Sequence, residues 1–455
     1  MPIELLECIF DACVRWLYAR RLPENCLAWT QVCTRWRCVA LGSVRLWQYI
    51  DLSHARFAYE FLIRSTFAPI FIMAHAPDKR FTGSLHPHAG RICSIDVVFR
   101  SNDMLHLLTD LGSVLPNLSA LSLALQPGSQ NLRCDMRINN VRRLALNGIA
   151  IPWDTCSNLT QLSLRGLGIT FAPSISQLRS ILDSSPELES FRTENVSFTI
   201  PFWDQSDHPV RLPRLRELVL FSQTPQFIHY LLTQLHIPPP AKLQLTCPSY
   251  HQLPELGPIF TEFDKLADLE TRVAALRLRR WSVQLLRHTS APWSEDYTDI
   301  SASITFLSPW QTPQIHDFRN LFDMSRLKTL ELDAVVLDDI PTNAMQSLFA
   351  AMPCLGTLRV ALNELAVLLA ILDPGIANEV FCPDLTRLSF SRKNDVWWSF
   401  ADRWMAGLLE CVKNRAIEAA RLKNLEFIRC HGINTQVVQP LVRFVNDVMV
   451  QGLEE

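Results

Sequence analysis

Two runs near the N-terminus set the reading of this chain. The first is Met1-Pro2-Ile3-Glu4-Leu5-Leu6-Glu7-Cys8-Ile9-Phe10. The second is Val32-Cys33-Thr34-Arg35-Trp36-Arg37-Cys38-Val39-Ala40, followed shortly by Leu46-Trp47-Gln48-Tyr49-Ile50. Pro2 suits the first turn of a helix, where its missing N–H is not needed. Glu4 and Glu7 fall near the positive end of that helix. Leu5, Leu6, Ile9, Phe10 and Cys13 recur at helical spacing and predict one apolar stripe. Leu27, Val32, Trp36, Val39 and Ala40 predict a second helical run, ended by Gly42. Trp16, Trp29, Trp36 and Trp47 crowd the same region. Three short helices cannot bury all of this among themselves, so part must face the rest of the chain or another protein.

Downstream, from Arg91 onward, a weak repeat of the form apolar-x-x-apolar-x-apolar appears. Its clearest copies are Leu118/Leu121/Leu123, Leu159/Leu162/Leu164, Leu215/Leu218/Leu220, Leu327/Leu330/Leu332, Leu355/Leu358/Val360 and Leu385/Leu388/Phe390. Weaker copies start at Ile92, Val141, Leu188, Val273 and Leu425. Apolar residues at alternate positions put one face of a short strand into a core. One such strand cannot bury that face alone; a parallel stack, each strand returning through a helix, makes a continuous core. Segments between the copies have helical period, as in Met104–Leu111, Ile175–Leu182, Phe227–Leu232, Met345–Phe349 and Leu365–Leu372. Residues 57–67 also predict an amphipathic helix, 69–74 a strand and 78–90 a loop. Proline-rich stretches at 237–260 and 287–314 break the rhythm, apart from a short strand at Leu243-Gln244-Leu245. A long helical run covers 397–422, and a helix over 437–449 is expected to cap the last unit.

The opening fifty residues resemble an F-box of the type common in fungal proteins. That family reads Leu-Pro-x-Glu-Leu-Leu-x-x-Ile-Phe, a spacer, Val-Cys-x-x-Trp-Arg-x-x-Ala and then Leu-Trp-x-x-Ile. Matching positions are Pro2, Glu4, Leu5, Leu6, Ile9, Phe10, Val32, Cys33, Trp36, Arg37, Ala40, Leu46, Trp47 and Ile50, with Met1 where the family has Leu. The later units resemble degenerate leucine-rich repeats. The Asn that often closes such a unit is mostly replaced, by Gln126, Leu167, Gln223, Val335 and Lys393; only Asn363 fits. The expected fold is therefore α/β: a three-helix F-box-like module (1–52), a packing segment (53–90), and an irregular leucine-rich-repeat-like solenoid (91–455). Parallel strands would line its concave face and helices its convex face.

The resemblance implies a substrate-recognition subunit of a cullin ubiquitin ligase. It implies docking on a Skp-family adaptor through Pro2, Ile3, Leu6, Ile9, Trp36 and Trp47. An unidentified target protein would bind the repeat domain. In each unit the residue between the second and third apolar positions lies on the inner face. The early ones are mostly small or neutral, as at Ser122, Ala145 and Ser163. The late ones include Arg277, Glu331, Arg359 and Arg429, which are the expected target contacts because arginine is frequent at binding hot spots. Proximity would then be the mechanism, with no chemistry from this chain. Two alternatives are an interaction scaffold outside any ligase and an extracellular recognition protein, the latter resting only on the sequons at Asn117, Asn158 and Asn195.

Composition fits this reading. With 455 residues and net charge −2, no global field draws the chain to nucleic acid or membrane. Arg277-Leu278-Arg279-Arg280-Trp281 is a single basic cluster in a slightly acidic chain. The thirteen cysteines are scattered without a C-x-x-C pair, and Cys8/Cys13 and Cys33/Cys38 read as buried free thiols on helical stripes. This points to a reducing, cytoplasmic or nuclear setting. Glu4, Glu7 and Asp11 interrupt any signal segment. No catalytic motif, phosphate loop or cofactor fingerprint is present; Gly166-Leu167-Gly168 reads as a turn, and His86 and His88 lack a third metal ligand. The chain is expected not to be an enzyme and to need no cofactor or metal.

Overall fold

Most copies of the repeat open with a tight turn that aims the following strand. Pro116, Pro186, Pro213, Pro353 and Pro383 sit second in these turns, where a fixed φ favours the bend. The turn closes when Leu118 N–H donates to Leu115 O (3.4 Å), and likewise Leu188 to Ser185, Leu215 to Leu212, Leu355 to Met352 and Leu385 to Cys382 (3.1–3.2 Å). The leucine ending each turn is buried. The next residue donates to its counterpart one repeat back: Ser119 to Cys93 O, Arg142 to Ser119 O, Thr160 to Arg142 O and Glu189 to Thr160 O, at 2.7–2.9 Å. The turns therefore stack on one another at the head of the strands, in step with the strand register.

This computed structural model describes residues 1–20, 23–75, 83–99, 115–199, 209–238, 242–247, 273–279, 282–287, 300–306, 324–325, 327–333, 342–361, 365–377, 379–391, 400–428, 430 and 432–451. The chain is α/β and divides into two units, Met1–Glu217 and Leu218–Glu455.

The first unit starts with helices α1 (Ile3–Ala19), α2 (Trp29–Val32), α3 (Thr34–Gly42) and α4 (Ala55–Arg64). Its strands are β1 (Tyr49–Asp51), β2 (Ile70–His75), β3 (Ile92–Phe99), β4 (Ala120–Leu125), β5 (Arg143–Asn147), β6 (Gln161–Arg165) and β7 (Ser190–Glu194). Each is parallel to the next. Ile50, Ile72, Ile95, Leu121, Leu144, Leu162 and Phe191 stand in one register and are all buried, forming a continuous apolar rail. The ladder begins at Tyr49, well before Arg91, because β1 and β2 supply isoleucines in phase without the leucine spacing that marks later copies. Helix α5 (Ile175–Asp183) follows β6 and starts with a capping box between Ser174 and Gln177.

The missing closing asparagines have a local substitute. Asn131 lies outside the repeat slot, yet its amide donates to Gly148 O (3.3 Å) and Gly166 O (2.6 Å). Its side-chain oxygen accepts from Gly168 N–H at 3.0 Å. One side chain thus serves the turns after two strands. Gln223, in the slot itself, donates to Phe221 O at 3.1 Å. Asn363, Val335 and Lys393 lie outside the described residues. The sequon asparagines also have backbone roles: Asn158 and Asn195 hold left-handed turns (φ 57° and 52°), which asparagine tolerates, and Asn117 donates to Gly90 O.

The second unit contains α6 (Pro225–Gln234), α7 (Thr342–Ala350), α8 (Ala366–Leu372) and α9 (Phe400–Ile417). Its strands are β8 (Lys242–Cys247), β9 (Val273–Arg279), β10 (Ser282–Arg287), β11 (Ile300–Phe306), β12 (Thr329–Asp333), β13 (Thr357–Ala361), β14 (Arg387–Ser391), β15 (Asn424–Ile428) and β16 (Asp447–Gln451). From β12 to β16 the strands are parallel neighbours in chain order. Upstream, the expected all-parallel order fails. β10 is antiparallel to both β9 and β11, and the spatial order runs β8, β11, β10, β9, β12. A short connection between β9 and β10 can only return the chain antiparallel, because a parallel neighbour needs a crossover of a dozen residues or more.

Two further expectations are corrected. The predicted helix over 437–449 is a short helix (Thr435–Val438), a tight turn of helix and then β16. Pro440 cannot continue an α-helix, and Val448 and Val450 favour a strand. The residues 83–91, partly read as loop, form a 3₁₀-helix. The helix expected over 104–111 lies outside the described residues.

Candidate docking surface on the first helix

Helix α1 is apolar on two neighbouring stripes. Leu6, Phe10 and Val14 repeat every four residues and are buried, Leu6 to 1% exposure. Phe10 lies flat against Trp29 (ring centroids 5.1 Å, 6°) and meets Trp36 edge-on at 5.2 Å. That packing ties α1 to α2 and α3. Leu5, Ile9 and Trp16, with Ala12 between, follow the same helical row rotated by about one residue. They are exposed by 55%, 45% and 55%. The single stripe read from the sequence is therefore two. The arc from Leu5 to Phe10 is wider than one neighbour covers, and only the half facing Trp29 and Trp36 is sealed.

This sorts the expected adaptor contacts. Pro2, Ile3 and Ile9 are exposed and Trp36 is half-buried. Leu6 and Trp47 are not surface groups. Trp47 is buried, its Nε1–H donates to Ala40 O (3.0 Å), its ring meets Phe61 edge-on, and Arg64 lies over it. Both hold the module together, so their expected role as direct contacts is corrected to a role in the core. Leu5, Trp16, Val32 and Leu41 were missed and are exposed. The signal for the first two was present in the sequence as the 5, 9, 12, 16 spacing. The start of α1 is tied to α3 where Arg35 donates to Met1 O, and Arg37 Nε donates to Thr30 O at 2.6 Å.

The thiol reading is also corrected. Cys8, Cys13, Cys33 and Cys38 are exposed, whereas Cys26, Cys134, Cys156, Cys382 and Cys411 are buried. Cys33 instead caps α3, its sulfur accepting from Trp36 N–H. Burial pushes the Cys156, Cys382 and Cys411 thiols up to about 12, so none of these is poised as a nucleophile.

On the second unit, the expected target residues fall in one row on the strand face opposite the leucines. By backbone register the row is Arg277, Glu331, Arg359, Ser389, Glu426 and Met449. Glu331 is buried and pairs with Arg359 at 2.8 Å. Glu426, 2% exposed, meets Arg387 at 3.5 Å, and its Oε2 has no hydrogen-bond partner. Much of the charge on this face is therefore buried and paired with its neighbours. Arg429 lies outside the described residues. Among the described residues no group of three or more side chains is placed to hold a metal, and no helix is long and apolar enough to cross a membrane.

Burial pushes the Glu426 carboxyl up, against the opposing pull of Arg387 and Arg359. A raised folded-state value means the folded chain holds this proton more tightly than the unfolded chain. Its stabilising contribution is present in acid and is lost as pH rises through the raised value. Glu426→Gln should accordingly raise stability at neutral pH by about 1 kcal/mol, with the gain vanishing below the ordinary carboxylate range. Denaturant titrations at pH 4 and pH 7.5 measure this; a variant less stable than wild type at both would contradict it.

No protein-family model matches the chain, and no curated protein matches it.

Proposed function

We propose that this chain is the substrate-recognition subunit of a cullin ubiquitin ligase, docking on a Skp-type adaptor through the open stripe of α1. The observation that carries the reading is the second apolar row, Leu5, Ile9 and Trp16, left exposed beside a fully packed first row. The spaced F-box-like residues give that surface its proposed partner. The stacked turns and in-phase leucines support reading the rest as a leucine-rich-repeat-like array. In that array the row opposite the leucines, with Arg277, Glu331 and Arg359, receives a target protein, and Arg359 and Glu331 act there as a pair.

Burying three such side chains offers roughly 5 kcal/mol. Association itself costs about that much or more. The interface must therefore recruit neighbours, and exposed Ile3, Val32 and Leu41 are the candidates. The test is co-expression of the full chain with a Skp-type adaptor. Wild type should co-purify with the adaptor. Leu5→Asp with Ile9→Asp should abolish this while leaving the melting temperature unchanged, because neither side chain is in the core. Retention by the double variant would overturn the assignment of the surface; failure of wild type to bind would overturn the function.

A further inference from the structure

We propose that the first unit carries a second recognition site, a cleft that receives an acidic peptide segment of a partner protein. The open cleft has a volume of about 910 Å³ and lies between α1, β1, the turn after α4, and β2, β3 and β5. Its floor is aromatic. Tyr49 stacks on Phe71 at 5.0 Å, and Tyr18 leans on Tyr49 at 4.9 Å. Tyr18 is anchored by its hydroxyl, which donates to Ile72 O. Its walls carry Arg15, Arg45 and Arg143. Arg15 is held by Asp11 at 2.8 Å. Arg45 and Arg143 are exposed, and among the described residues neither has an acidic partner and no carboxylate lines the cleft. Phe67, on the rim, is 94% exposed.

The chemistry selects the occupant. Two uncompensated guanidinium groups call for anions, with forked geometry that suits carboxylates. The aromatic floor and the bare Phe67 call for carbon as well, which excludes a simple ion. Small-molecule sites bury most of their ligand, and a cleft with a fully exposed aromatic on its lip does not. An extended peptide needs no enclosure: its carboxylates reach Arg45 and Arg143 while an apolar side chain covers Tyr49, Phe71 and Phe67. The whole chain is slightly acidic, so this basic charge belongs to the cleft and not to a general field.

The site stands apart from the adaptor reading. Arg15 and Tyr18 project from a different flank of α1 than Leu5, Ile9 and Trp16, so loss of one function need not disturb the other. The test is selection of a random peptide display library on the intact chain, followed by fluorescence anisotropy of the recovered peptides. Recovered sequences should be rich in Asp and Glu around an aromatic or aliphatic residue. Their affinity should fall with added salt, and should drop at least about tenfold on Arg45→Glu with Arg143→Glu. Phe67→Ser should weaken binding about threefold, and serves as the independent variant if the double charge reversal misfolds. Recovery of no peptides, recovery without acidic enrichment, or affinity unchanged in these variants would overturn the proposal.

Discussion

Replacing Arg415 with methionine should lower unfolding stability by roughly 3–5 kcal/mol, a large effect for one polar side chain. Arg415 lies near the end of α9 and is 1% exposed. Its guanidinium donates to Leu372 O (3.3 Å), Phe381 O (3.0 Å) and Cys382 O (2.9 Å). Those carbonyls close α8 and the turn that leads into β14, so one side chain satisfies acceptors from two connections. Burial pushes the guanidinium down from its ordinary value, but arginine starts so high that it stays charged. Methionine fills similar space and leaves Leu372 O and Phe381 O buried without that donor, while Cys382 O keeps only Leu385 N–H. Arg415→Lys should recover less than half the loss, because a point charge cannot span the three carbonyls. Guanidinium unfolding of the full chain measures both; a loss under about 1 kcal/mol for methionine would contradict the assigned role.

Phe10→Ala should cost about 3–5 kcal/mol and loosen the whole N-terminal module. Phe10 is 1% exposed and is held between Trp29 and Trp36. Removing the ring deletes one stacked and one edge-on aromatic contact and opens a cavity beneath α1. The indole fluorescence of the module should then shift to the red, and its melting should separate from that of the rest of the chain. Leu5→Ala, one turn away on the open row, should do neither. An equal loss for both substitutions would mean that the two stripes of α1 are not distinct in solution.

The strand ladder was legible because its signal is redundant: Leu121, Leu144 and Leu162 repeat one phase, and stacking makes each copy support the next. The hairpin at β9 and β10 was not. Val273, Leu276 and Leu278 fit the repeat as well as any weak copy, and nothing in Ser282–Arg287 announces an antiparallel return. The surface was half legible. Leu5, Leu6, Ile9 and Phe10 all read as apolar helix positions. Which pair turns inward depends on where Trp29 and Trp36 arrive from another helix, and that is tertiary information. The same reason hid the exposure of Cys8 and Cys13. The charges of the outward row were visible, but the pairing of Arg359 with Glu331 depends on strand register across 28 residues.

On the proposed function, the open row of α1, Leu5, Ile9 and Trp16, binds a Skp-type adaptor. Calorimetric titration of the purified full chain with that adaptor tests it most directly. The expected result is one-to-one binding that weakens at least about a hundredfold on Leu5→Asp with Ile9→Asp, at an unchanged melting temperature. Equal affinity for the two proteins, or no binding heat with wild type across temperatures, would contradict it.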